Sequence, residues 1–300
     1  VTVGKDTINQ GRLLSDKELK IKGNTDNSGT LYGKDRISID KNLTNTNNVQ
    51  TSGNLSAKDT INTGTMISEG NISLNSLDNS GEITSNKKLT TTTLENRSGA
   101  KISTGEGIQN NRTRNLGEIN TNDNFVISGN LENYSVMNIG GLLSVNNLLN
   151  TGSLKAVDKI FTSGVSFNNS GEILTTLLDI NNTGILNTNK ITVIDNARLN
   201  GNNITNNGYI SGTNIEIITA GLTNTGTLAA DELIKANNTT INNTGYIGSN
   251  SKVNLSGSNF TNSGTVESSE IELYNMSGYS NINLIRGGNV SLTTIGNLTL

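Results

Sequence analysis

The chain has no cysteine, no histidine, no proline and no tryptophan, and its six Tyr and four Phe bring aromatics to only 3% of 300 residues. Each absence removes a class of protein. Without Cys there is no disulfide framework and no thiolate metal site; without His the commonest metal ligand and general base is missing. No cofactor is expected. The formal net charge is −3 and the isoelectric point about 5.2. Scattered Lys and Arg form no basic stripe able to displace counterions, which argues against nucleic acid and against docking on anionic lipid. No apolar run approaches the ~18 residues of a membrane helix, so membrane insertion is not expected. Val1 opens directly into polar sequence with no signal peptide, and the chain reads as a piece of something longer.

Polar residues fill the space. Asn occupies 53 of 300 positions while hydrophobic residues make up 32%. Such polarity usually accompanies disorder, but disorder brings Pro and charge runs, whereas this chain is rich in Ile, Val and Thr. The polar content is therefore read as structural.

It is also periodic. "NNTGYIGSN" at 242–250 has relatives in "DNSGTLYGK" at 26–34, "DNSGEITSN" at 78–86 and "TNSGTVESS" at 261–269. Taking the Gly as a marker gives Gly11, Gly29, Gly64, Gly81, Gly99, Gly117, Gly152, Gly171, Gly208, Gly226, Gly245 and Gly264, with Asn48, Ser135 and Asn189 filling the gaps. That is 14 steps over 253 residues, about 18 per step. Two before the marker stands Asn: Asn9, Asn27, Asn62, Asn79, Asn115, Asn133, Asn150, Asn169, Asn187, Asn206, Asn224, Asn243 and Asn262. Thr46 and Arg97 are the exceptions. Two after it the residue is apolar except at Gln50 and Lys101. An alternating pair follows, as in "RISID" and "KVNLS", and later units add an apolar residue before the next Asn, such as Leu131, Phe167 and Ile241.

Each unit thus holds three short stretches of period-2 alternation, the pattern of strands. Three strands in 18 residues cannot close a core alone. Stacked coils can: equivalent strands pair in parallel about 4.8 Å apart and their inward residues form continuous apolar columns. The expected fold is an all-β parallel β-helix, a solenoid of about 18 residues and three short strands per coil. Residues 1–300 are expected to form one continuous segment, a rod of roughly 75 Å for about 16 coils at that spacing. Asn and Gly are placed at the turn, Gly because it tolerates positive φ and Asn as its best substitute. Stacked Asn would also form an amide ladder between coils. "GEGIQNNRTRN" at 105–115 and the out-of-phase Gly184 in "NNTGILNTN" at 181–189 are read as loops or shortened coils projecting from the rod. Alternating strands are expected to the last residue.

Quoted as it stands, "NNTGYIGSNSKVNLSGSNFTNSGTV" resembles the roughly 20-residue repeat of the filamentous haemagglutinin family, two-partner-secreted exoproteins of Gram-negative bacteria that include adhesins and contact-dependent growth inhibition effectors. The likeness covers nearly the whole chain. It implies a right-handed β-helix, exported unfolded through an outer-membrane barrel partner and displayed outside the cell as a stalk or adhesive surface. Lack of Cys suits that route. A host or bacterial surface receptor or glycan is the implied partner. The family's N-terminal secretion domain, with its Asn-Pro motif, and a C-terminal toxin are not seen.

Catalytic candidates are few. Some β-helices act on polysaccharides through acidic clusters, and the nearest residues here are Glu82, Glu118 and Glu172. They stand two and three coils apart, roughly 10–15 Å, farther than glycosidase carboxylates, so they are read as solvated charge and the chain as no enzyme. Lys5-Asp6, Lys34-Asp35 and Lys58-Asp59 are read as turn residues. "NRTRN", with Arg112 and Arg114, is the densest basic spot and the candidate contact for a glycan or phosphate. Asn-x-Ser/Thr triplets barely exceed what composition dictates and give no ground for glycosylation.

Overall fold

In a computed structural model describing residues 1–237 and 240–299, with side chains described only as far as 295 in the second stretch, the chain is a parallel β-solenoid. No helix is present among these residues, and strands pair in parallel with the strand one coil away, 17 to 19 residues distant. The fold divides into two compact units, Val1–Ser144 and Val145–Leu300.

In the first unit a coil has three short strands, for example Thr7–Asn9, Arg12–Ser15 and Glu18–Ile21, stacked on Thr25–Asn27, Thr30–Gly33 and Arg36–Ile39. Alternation places every second residue inside. Leu31, Val49, Met66, Ile83, Ile102, Ile119 and Met137 are in register and fully buried. Leu19, Ile37, Leu55, Ile72, Leu89, Ile108 and Phe125 form a second buried column. The third mixes Thr25, Thr60 and Thr113 with Leu43, Leu77, Leu94 and Leu131. Burying such a side chain contributes about 1.5–3 kcal/mol, so one narrow apolar line per strand holds a polar chain together.

The second unit keeps the columns but merges strands across the corners, giving longer elements such as Ser153–Thr162, Tyr209–Asn224 and Thr265–Asn281. Short strands persist there too, as in Ser166–Asn169, Gly184–Asn187, Thr240–Asn243 and Asn259–Asn262, so the expected short strands alternate with fused ones. One apolar column runs Leu148, Phe167, Ile185, Ile204, Leu222, Ile241, Phe260 and Tyr279. The last two rings stack at 5.6 Å. Strand continues to Thr299; Leu300 lies outside the described residues.

Two irregular segments are not projecting loops. Residues 105–115 are mostly the nine-residue strand Gly107–Asn115, and where its neighbours carry Leu94 and Leu131 it buries Thr113, whose Oγ1 accepts 2.7 Å from Asn110 Nδ2. Asn110 and Thr113 take inward positions opposite Ile127 and Leu131 of the next coil, with a hydrogen bond between them. Gly184 opens the strand Gly184–Asn187, in register with Ser166–Asn169. Residues 182–183 form the corner, and Asn182 is buried with Oδ1 2.5 Å from Thr162 Oγ1 and Nδ2 2.9 Å from the Asn146 carbonyl.

Candidate functional site

The recurring Asn faces inward. In the first unit Nδ2 of each donates to Oδ1 of the next from Asn9 through Asn27, Asn45, Asn62, Asn79, Asn96 and Asn115 to Asn133, at 2.7 to 2.9 Å. In the second the same chain runs through Asn150, Asn169, Asn187, Asn206, Asn224, Asn243, Asn262 and Asn281, at 2.7 to 2.8 Å. Asn27 shows the rest of the pattern: Nδ2 also reaches its own corner's Gly29 carbonyl at 3.1 Å and the Asn48 carbonyl of the next coil at 3.0 Å. A buried primary amide needs such partners, and here it ties two coils and one corner together.

Two sequence exceptions disappear. Asn45 and Asn96, one residue before Thr46 and Arg97, hold the ladder positions. Asn47 rather than Asn48 supplies the corner carbonyl, 3.2 Å from Asn45 Nδ2. At 97–100 extra residues widen the corner and Gly99 takes φ +78°.

Positive φ does not explain the other marker glycines. Gly29, Gly81, Gly171, Gly208, Gly226, Gly245 and Gly264 are not among the residues with positive φ, which in the described structure are Gly99, Gly107 and Asn275. Close approach is the reason: a Cβ on Gly264 would collide with the Gly245 carbonyl oxygen, and one on Gly171 with that of Gly152. Where Asn stands instead, at Asn47, Asn189 and Asn283, its Nδ2 donates to the preceding coil's Ser28, Ser170 or Ser263 carbonyl at 3.1, 3.1 and 2.9 Å.

Arg112 and Arg114 lie on strand Gly107–Asn115, engaged with carboxylates. Arg112 Nη2 is 3.1 Å from Glu132 Oε1, and Arg114 reaches Glu95 at 2.9 Å and Glu132 at 3.6 Å while standing 5.5 Å over the Tyr134 ring. Asp78, Glu95, Arg114 and Glu132 are one outward register row. Arg97, paired with Asp78 at 2.5 Å, has its pKa raised by that hydrogen bond. Asp78 and Glu95 are like charges on adjacent coils of that row, and Arg97 and Arg114 offset them.

The carboxylates of the sequence reading are similarly separated. Lys101 stands in register between Glu82 and Glu118 and lies 3.8 Å from the latter, and Lys190 is opposite Glu172. Asp6 accepts the Asn24 backbone N–H at 2.7 Å, which lowers its pKa; Asp59 accepts from Asn75 Nδ2 and Ser76 Oγ, both at 2.8 Å, with the same effect. Asp6 and Asp59 thus lie at coil junctions and bond to the next coil, while the Lys34 and Asp35 backbone N–H groups donate to the preceding one. Among the described residues no three acidic, Cys or His side chains converge as a metal site.

An open groove of about 620 Å³ is amide-lined, with Asn181, Asn200, Asn202 and Asn237 on its walls. A second surface holds Tyr209 and Tyr246, which the sequence reading passed over. The signal was present: each follows a marker, Gly208 or Gly245, which fixes both at one outward phase.

No family model, curated protein or solved structure matches the chain.

Proposed function

We propose that the chain is a non-enzymatic shaft segment of a secreted or surface-exposed bacterial exoprotein of the filamentous haemagglutinin type, carrying an adhesive or toxic tip toward other cells. The supporting observation is the closed repetition within each unit: inward columns and an amide ladder make identical contacts coil after coil, so coils can be added without altering the contacts. Export unfolded through an outer-membrane barrel agrees with a fold built from local coil-to-coil contacts and a chain lacking Cys.

A second role, in which the shaft itself adheres to a surface receptor or glycan, draws support from the open grooves of the second unit. The shaft of a growth-inhibition toxin has the same physical requirements. A polysaccharide-acting enzyme is the weakest alternative, since Lys101 interrupts the Glu82 and Glu118 row and Lys190 faces Glu172. Antibody raised against the chain should label intact, unpermeabilised cells of the producing bacterium or their medium. Signal confined to lysed cells would contradict the proposal.

A further inference from the structure

In the second unit Tyr209 pairs in register with Thr227, and Thr227 with Tyr246. The two tyrosines are therefore two coils, about 10 Å, apart on one outward column. Beside them Ser211, Ala229 and Gly248 are in register and small, leaving a trough. A cavity of about 380 Å³ lies there, walled by Tyr209, Asp231 and Tyr246. A neighbouring one of about 430 Å³ is walled by Tyr246, Glu267, Ser268 and Arg286. Tyr246, Ser249 and Asn250 border both, so the two form one groove along the stack.

Three features give the groove chemistry. The Tyr246 ring lies over Gly248, where any Cβ would meet the phenol, so this Gly is what lets the ring lie down on the sheet. Tyr209 is 40% exposed. Ser268, only 6% exposed, has a buried hydroxyl without a hydrogen-bond partner at the groove wall. Polar reach comes from Asp231, Asn250 and the Glu267–Arg286 ion pair.

Rings with an apolar face and a polar edge suit a ligand of the same construction, such as a pyranose with its C–H face and hydroxyl rim. The strands flooring the groove pair on both sides, so an extended peptide finds no free edge to join. Two carboxylates against one guanidinium disfavour a polyanion. We propose that this groove binds a neutral oligosaccharide, with one pyranose ring on Tyr209 and another on Tyr246 two coils along. It deepens the shaft reading, on which it rests, by giving the shaft a ligand of its own.

The test is a titration of the intact chain by calorimetry with tetrasaccharides of glucose (α- and β-linked), mannose, galactose and N-acetylglucosamine, with a heparin tetrasaccharide as the anionic comparison. At least one neutral member should bind saturably. Tyr209→Ala and Tyr246→Ala should each weaken it tenfold or more, with an unchanged circular dichroism spectrum, while Tyr246→Phe and the distant Tyr134→Ala should leave it within about twofold. No binding by any neutral member, binding unaffected in the double alanine variant, or preference for heparin would overturn the proposal. Those outcomes leave cell-surface labelling untouched, so failure of the groove and failure of the shaft proposal are separately visible.

Discussion

Asn243 donates from Nδ2 to Oδ1 of Asn262 at 2.7 Å, and both side chains are fully buried. The same geometry recurs along each unit, so the residue that makes this sequence look repetitive is an internal coupling between coils. Its substitution has a defined cost.

Replacing Asn79, fully buried at mid-ladder, by Ala removes the acceptor used by Asn62 and the donor used by Asn96. Each buried group left without a partner costs about 1–3 kcal/mol. Asn79→Asp should be worse, because it puts a carboxylate against the Asn96 Oδ1 in the interior. Asn86→Asp, at an exposed site, should be nearly neutral. Urea unfolding of the three variants checks the order.

Gly226→Ala forces a Cβ into the Gly208 carbonyl, whereas Gly4 has open space around it. Overpacking of this kind costs about 1–3 kcal/mol, so Gly226→Ala should lower the unfolding midpoint while Gly4→Ala should not. Equal effects would show that the corner has room to relax.

The Arg112→Ala/Arg114→Ala double variant loses the Glu95 and Glu132 pairings and leaves Asp78, Glu95 and Glu132 along one outward row. Exposed ion pairs contribute at most about 1 kcal/mol and are screened by salt. The loss in Tm should be small, and smaller still at high ionic strength.

Asp59 has its pKa lowered by hydrogen bonds from Asn75 and Ser76. A carboxylate depressed in the folded state binds fewer protons there than when unfolded, so its contribution is present above the ordinary Asp pKa of about 3.9 and disappears as pH falls through the folded value. Asp59→Asn should flatten the Tm profile in that acid range and leave its shape near neutrality unchanged. An identical acid limb would mean that the two bonds do not favour the carboxylate.

Much of the fold was legible because alternation and an 18-residue period leave few ways to bury Leu31, Val49 or Ile83. The slips at Asn45 and Asn96 were hidden: a corner one or two residues longer or shorter moves the Gly marker without moving the Asn that the ladder holds. The partners of Arg114 were hidden for a related reason, since Glu95 is 19 residues away and only the exact coil length brings it opposite. The polar run at 105–115 reads as a loop, but residues 107–115 form a strand in which Asn110 Nδ2 donates to Thr113 Oγ1 inside. The tyrosine groove depends on how the Tyr246 ring lies over Gly248, and period alone does not encode ring orientation.

The most direct measurement is hydrogen exchange of Asn side-chain amides by nitrogen-15 NMR, with the Asn79 signal assigned through its disappearance in Asn79→Ala and the Asn86 signal through Asn86→Asp. A ladder amide at Asn79 should exchange orders of magnitude more slowly than the exposed amide at Asn86. Equally rapid exchange at the two sites would mean that the repeated Asn faces solvent, and the coupling between coils would have to come from elsewhere.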